Sequence, residues 1–224
     1  MTTFADTPIF QPAAEHPALH AGEVHLWLAT LGPFACEEPP VLTADEWLRA
    51  ERFHHAVDRH RYIASRTALR TILARYASAP PGALRFLRGE YGKPHLAGSL
   101  LRFNLSHSED AMLLAVTHRR EVGVDLEFVR ENLSFEMLSE HYFTPDDQWQ
   151  LRITPESKRR AKFFELWTRA EAQIKARGLG LSDALRFDDA DRFTLHSFMP
   201  APGFAAALAV EGSDFEVSCW RCLS

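Results

Sequence analysis

Two breaks constrain the fold of this chain more than any other feature. Pro80-Pro81-Gly82 ends a long helical pattern running from Asp58 to Tyr76, and Gly178 with Gly180 ends a second, which starts after Thr154-Pro155 and runs to about Arg177. Proline lacks a backbone N–H and clashes with the preceding turn, and glycine takes the left-handed conformation that closes a helix. Outside these stretches the chain reads with a period of two. Gly22 to Leu31 sets Val24, Leu26 and Leu28 on one side. Leu84–Leu87, Leu101–Leu105, Ala111–Thr117 and Val122–Glu127 follow the first helix, and Arg192–Phe198, Phe204–Val210 and Phe215–Trp220 follow the second. Strand, helices, strands, twice over, predicts an α+β fold of two similar halves, each a small, largely antiparallel sheet packed on a long helix. The joint falls near residues 105–110, which divides the chain into 1–107 and 108–224.

Local signals refine this outline. Thr43-Ala-Asp-Glu46 is a capping-box pattern that starts an early helix after the loop marked by Pro33, Pro39 and Pro40. Ile63, Leu69, Ile72 and Leu73 give the first long helix an apolar stripe. Thr144-Pro145, with Asp147 at the third helical position, starts a short helix in the polar segment from Arg130 to Ser157. Gly89, Gly92-Lys93-Pro94 and Gly98 are turns.

With 224 residues, 46% of them apolar, the chain can bury a core without disulfides. Its net charge of −5 gives no general support to a nucleic-acid role. The odd set Cys36, Cys219 and Cys222 argues against a disulfide framework and for a reducing compartment. Cys219 and Cys222 read as C-x-x-C, but no second Cys/His pair accompanies them, so the inert reading is preferred to a metal site. No apolar run is long enough to span a bilayer, and the first twenty residues carry no Lys or Arg, as a secretory signal would. A soluble, cytoplasmic protein is expected.

Few residues stand out for chemistry. Asp125 and Glu127 lie two apart in Val122-Gly-Val-Asp-Leu-Glu, so both carboxylates project to one side of the sheet. Such a pair either faces solvent or holds a hard cation such as magnesium. Glu171 and Lys175 share a helix face with Trp167, one turn back; they read either as a surface ion pair or as a face turned toward a site. Ser106, His107 and Ser108, placed in a tight connection between strands, offer donors for phosphate oxygens, and adjacency rules Ser106 and His107 out as a protease pair. Lys93 either decorates its turn or reaches a phosphate as a point charge. Arg49, Arg52, Arg59, Arg61 and Arg66, with His54, His55 and His60, form one basic stretch, and Lys158, Arg159, Arg160 and Lys162 form another. Each is either a solvated face or a contact for an anionic ligand or an acidic partner.

The order Gly-Lys-Pro at 92–94, Phe-Asn-Leu-Ser-His-Ser at 103–108, Val-Gly-Val-Asp-Leu-Glu at 122–127 and Trp167-Thr-x-x-Glu-Ala-x-x-Lys-x-x-Gly-x-Gly-Leu resembles the 4′-phosphopantetheinyl transferase superfamily, of the longer, surfactin-synthetase-activating type. The resemblance is strongest from Phe86 to Leu181. It implies a pseudo-dimer within one chain, acting as a monomer, with coenzyme A between the halves. The implied metal ligands are Asp125, Glu127 and Glu171, holding Mg2+ or Mn2+. His107 would contact the pyrophosphate with Ser106 beside it, Lys93 and Arg61 would lie near the nucleotide end, and Lys175 would neutralise the pyrophosphate and the departing group. The general base would be Glu171, or failing that Glu127. The implied reaction moves 4′-phosphopantetheine onto a serine of an apo acyl or peptidyl carrier protein, with no nucleic acid or membrane as partner, and Lys158–Arg160 and Lys162 would meet the acidic carrier. The family's Trp-x-x-Lys-Glu-Ala here reads Trp167-Thr-Arg-Ala170-Glu171-Ala, so Ala170 stands where a lysine is usual. That leaves an alternative, a homologue that binds coenzyme A or a carrier without transfer.

Overall fold

The computed structural model describes residues 4–12, 17–32, 41–179 and 192–222. Cys36, Gly180 and the prolines at 33, 39 and 40 lie outside the described residues. The elements in chain order are β1 (Gln11–Pro12), β2 (Glu23–Thr30), α1 (Ala44–Ala50), α2 (Ala56–Ala77), β3 (Phe86–Arg88), β4 (Pro94–Leu96), β5 (Leu101–Ser108) and β6 (Ala111–His118). There follow β7 (Val122–Phe128), α3 (Glu136–Tyr142), α4 (Pro145–Ile153), α5 (Glu156–Arg177), β8 (Phe193–Phe198), β9 (Phe204–Glu211) and β10 (Glu216–Arg221).

The strands form a five-stranded sheet ordered β1-β10-β2-β6-β5, a three-stranded sheet ordered β7-β9-β8, and the small β3-β4 hairpin. The α+β class holds. The first sheet is mixed, because β10 runs parallel to β2 and β1 parallel to β10, whereas the second sheet is antiparallel throughout. The sheets do not follow a cut at 107/108. β6 pairs with β2 and β5 in the first sheet, the chain changes sheets between His118 and Val122, and the last strand returns to the first sheet.

Each long helix covers the outer face of one sheet. Leu69, Ile72 and Leu73 of α2 pack on Trp27, Phe103 and Leu114. Ala172 and Ala176 of α5 pack on Ala207 and Ala209. The inner faces share one cluster, in which Val24, Leu26 and Leu113 meet Val124, Leu126 and Leu208. Strand alternation therefore turns Gly123, Asp125 and Glu127 away from that cluster and toward α5. Gly123 makes the close approach possible, since a Cβ there would stand 2.0 Å from the Ala172 carbonyl oxygen.

The helix ends follow the sequence with one exception. Thr43 and Glu46 form the capping box, Thr144 accepts the Asp147 N–H, and Gly178 (φ 69°) closes α5. Thr154 does not cap α5: Pro155 takes that position, and the Thr154 hydroxyl donates back to the Gln150 carbonyl of α4 at 2.8 Å. Inside the fold, Arg66 and Arg70 bind both oxygens of Glu46 and stack on Phe86. Among the described residues no helix is long and apolar enough to cross a membrane.

Candidate active site

Ser106, His107 and Ser108 belong to β5 and not to a connecting turn. The ladder with β6 continues to Ser108 opposite Ala111, and the turn is Glu109-Asp110, with Glu109 in the left-handed region (φ 47°). Alternation then divides the segment. Leu101 and Phe103 face α2, whereas Asn104, Ser106 and Ser108 face the neighbouring edge strand β7.

These three side chains join the two sheets in place of a backbone ladder. Asn104 Oδ1 accepts the Val124 N–H at 2.9 Å. Ser106 Oγ donates to Asp125 Oδ1 at 2.9 Å. Ser108 Oγ donates to Glu127 Oε2 at 3.1 Å and accepts the Phe128 N–H at 3.0 Å. Asn104 has no place in the sequence reading, and Ser108 serves a carboxylate there, not a phosphate. The period-two spacing of 104, 106 and 108 on an edge strand is the signal that finds both.

From the other side, Lys175 of α5 donates to Asp125 Oδ1 at 2.6 Å and to Ser106 Oγ at 3.2 Å. Asp125 is 2% exposed, and its second oxygen is buried without a hydrogen-bond partner. Burial, then the charge of Asp125, raises the proton affinity of Glu127 above the usual carboxylate range, against the Ser108 hydrogen bond and the charges of Lys175 and Arg130. Burial also raises Glu171; Lys175 opposes this, and Asp125 and Glu127 add to it. The ring of His107 is open to solvent yet crowded by protein, and that desolvation, followed by the positive charges of Lys175 and Arg61, lowers its pKa. Five of the expected residues thus act on one another: Asp125, Glu127, Glu171, Lys175 and His107, with Ser106 between them.

Arg61 lies at the rim, bound to Glu109 and Asp110 of the β5–β6 turn, each at 2.9 Å. Lys93 departs from expectation. Its ammonium is turned inward onto Glu121 (2.7 Å), the Val122 carbonyl (3.1 Å) and the Ala176 carbonyl (2.8 Å). An ammonium has three donors, so none is left for a nucleotide phosphate. Of the second basic stretch, Arg160 caps the carbonyls of Arg130 and Leu133 and Lys162 pairs with Glu165.

Among the described residues, no three His, Cys, Asp or Glu side chains stand arranged to hold a metal ion. The donor chemistry nevertheless fits a hard divalent cation. Three carboxylates share the site, two of them resist ionisation, and a buried oxygen of Asp125 has no partner. Lys175 is the cation that Asp125 holds in this structure.

Sequence comparison decides the family. A model of the 4′-phosphopantetheinyl transferase superfamily matches residues 121–209, and a model of the 4′-phosphopantetheinyl transferase N-terminal region matches 36–119. The 4′-phosphopantetheinyl transferase HetI of Nostoc sp. is 33% identical over 229 residues, covering 94% of this chain and 97% of that protein. The chain belongs to the 4′-phosphopantetheinyl transferase superfamily. A putative 4′-phosphopantetheinyl transferase of Synechocystis sp. is 34% identical over 71% of this chain and 67% of its own length. A 4′-phosphopantetheinyl transferase of Bacillus subtilis is 29% identical over 63% and 62%. The two family matches meet at residues 119–121, where the chain passes from the first sheet to the second.

Beside the acidic cluster, α3, α4 and α5 enclose a cavity of about 450 Å³, lined in part by Tyr142, Trp167, Ala170, Glu171 and Ile174. The Trp167 face of α5 is therefore not a plain solvent face. Cys219 has its thiol pushed up to about 12 by burial, which agrees with the inert reading of the C-x-x-C pair.

Proposed function

We propose that this protein transfers 4′-phosphopantetheine from coenzyme A to a serine of an apo acyl or peptidyl carrier protein, releasing 3′,5′-bisphosphoadenosine. The observation that carries the proposal is the Asp125–Lys175–Ser106 contact set, flanked by Glu127 and Glu171, in a chain of this family. The two helix-covered sheets are read as the halves of a pseudo-dimer, working as a monomer in the cytoplasm, with coenzyme A at their junction.

The reaction needs positioning and charge neutralisation more than covalent help from the protein. His107 and Lys175 bind oxygens of the pyrophosphate, and Arg61 holds the nucleotide end. Lys175 neutralises charge on the departing phosphate as the bond breaks. Glu171, whose proton affinity is raised, accepts the proton of the carrier serine at its carboxylate. Ser106 and Ser108 keep Asp125 and Glu127 in place. Magnesium, or manganese, is the cofactor we assign to Asp125, Glu127 and Glu171; when bound it supplies Lewis-acid neutralisation of the phosphate oxygens.

The alternative, binding without transfer, draws on Ala170 alone. Chromatographic detection of 3′,5′-bisphosphoadenosine separates the two. Nucleotide release that depends on an apo carrier supports transfer. Coenzyme A binding without release, across several carriers, refutes it.

A further inference from the structure

We infer that Lys93 is a positioning residue, which pins the last turn of α5 to the start of β7 and so sets Lys175 against Asp125. The inference rests on the proposed function only for its kinetic consequence; the clamp itself stands on geometry. Lys93 reaches out of the β3–β4 hairpin to three acceptors, on β7, on α5 and on Glu121 just before β7. Its side chain is only 15% exposed, and Glu121, its carboxylate partner, is held in turn by Arg102 at 3.0 Å. Ala176 O is one of the carbonyls that a helix C-terminus leaves unpaired, where a cation is favoured. The stem of Lys93 runs under Gly178, where an added Cβ would stand 3.3 Å from Lys93 Cδ.

The two carbonyls that Lys93 grips are placed to matter. Ala176 directly follows Lys175, and Val122 lies three residues before Asp125 on the same strand. Between them α5 rests on Gly123, which offers no side chain to fix the helix along the strand. A charged clamp at the helix end supplies that register. Burial would favour the neutral amine, and the Glu121 carboxylate counters it, so the clamp depends on its carboxylate. Arg192 also bears on this group electrostatically, alongside Arg102.

Amine acylation of the wild-type protein, read by peptide mass spectrometry with and without coenzyme A, tests the assignment without any variant. The clamp predicts slow labelling of Lys93 that coenzyme A does not change. Ready labelling in the free protein, suppressed by coenzyme A, would overturn it in favour of a nucleotide contact. Lys93→Met keeps the stem and removes the donors. It is expected to lower kcat about tenfold or more, hold KM for coenzyme A within about twofold, and speed hydrogen exchange of amides 174–179. A raised KM with kcat and exchange unchanged would contradict the inference, as would no change at all. If the wild type transfers nothing, the functional reading falls, while labelling and exchange still decide the role of Lys93.

Discussion

The ammonium of Lys175 lies 2.6 Å from Oδ1 of Asp125, joining the last turn of α5 to the middle of β7, and the same oxygen accepts the Ser106 hydroxyl at 2.9 Å. This contact unites α5 with one strand of each sheet at one carboxylate oxygen. It also leaves the other oxygen of Asp125 buried and without a hydrogen-bond partner.

The first consequence concerns Lys175. In the proposed transfer its charge partner grows as the pyrophosphate bond breaks, so Lys175→Ala should lower kcat about a hundredfold and change KM for coenzyme A much less. Steady-state kinetics with coenzyme A varied would check this. A change confined to KM would remove Lys175 from the bond-breaking step.

Ser108 offers a test in pH. Its hydrogen bond lowers the proton affinity of Glu127, which burial and Asp125 raise. Ser108→Ala removes that bond, so the Glu127 pKa should climb further and the acid limb of the pH–rate profile should move to higher pH. An acid limb that stays in place, or moves down, would separate Glu127 from the activity.

Gly123 tests the packing of α5 on β7. In Gly123→Ala the new methyl would stand 2.0 Å from the Ala172 carbonyl oxygen and 2.4 Å from the Ala176 nitrogen. Backbone cannot yield as a flexible side chain does, so the loss of stability should be at least about 3 kcal/mol by urea unfolding, with activity lost alongside. Wild-type stability would contradict the placement of the helix.

Glu46 gives a pH signature of the fold. Burial alone would raise its pKa, but hydrogen bonds from Arg70, the Thr43 N–H and Arg66 prevail and bring it down to about 2. A carboxylate lowered on folding stabilises the native state above its unfolded pKa, and that contribution fades as pH falls toward the folded value. The drop from 4.5 to about 2 corresponds to roughly 3 kcal/mol, lost across that window. Denaturant unfolding of the wild type between pH 5 and pH 2 should show the loss, and Glu46→Gln should flatten it. Parallel curves for the two proteins would assign acid unfolding to other groups.

Much of the site is legible in the sequence because it follows local periodicity. A period of two puts Asp125 and Glu127 on one side of β7, and a spacing of four puts Glu171 in line with Lys175 on α5. What failed depends on tertiary contacts. The polar run Ser106-His107-Ser108 looks like a turn, yet its ladder with the buried strand residues Met112 and Leu113 keeps it extended. Lys93 looks like a surface lysine until the end of α5 lies over it. No pattern in β10 announces that it pairs with β2, more than 180 residues earlier, because strand alternation names a face and not a neighbour.

Transfer to a carrier is open to a direct test by intact-protein mass spectrometry. An apo carrier is mixed with this protein, coenzyme A and magnesium. The carrier is expected to gain the mass of one phosphopantetheine, a gain abolished by a chelator and by Asp125→Ala. An unchanged carrier mass across several acyl and peptidyl carriers, with coenzyme A still bound, would contradict it.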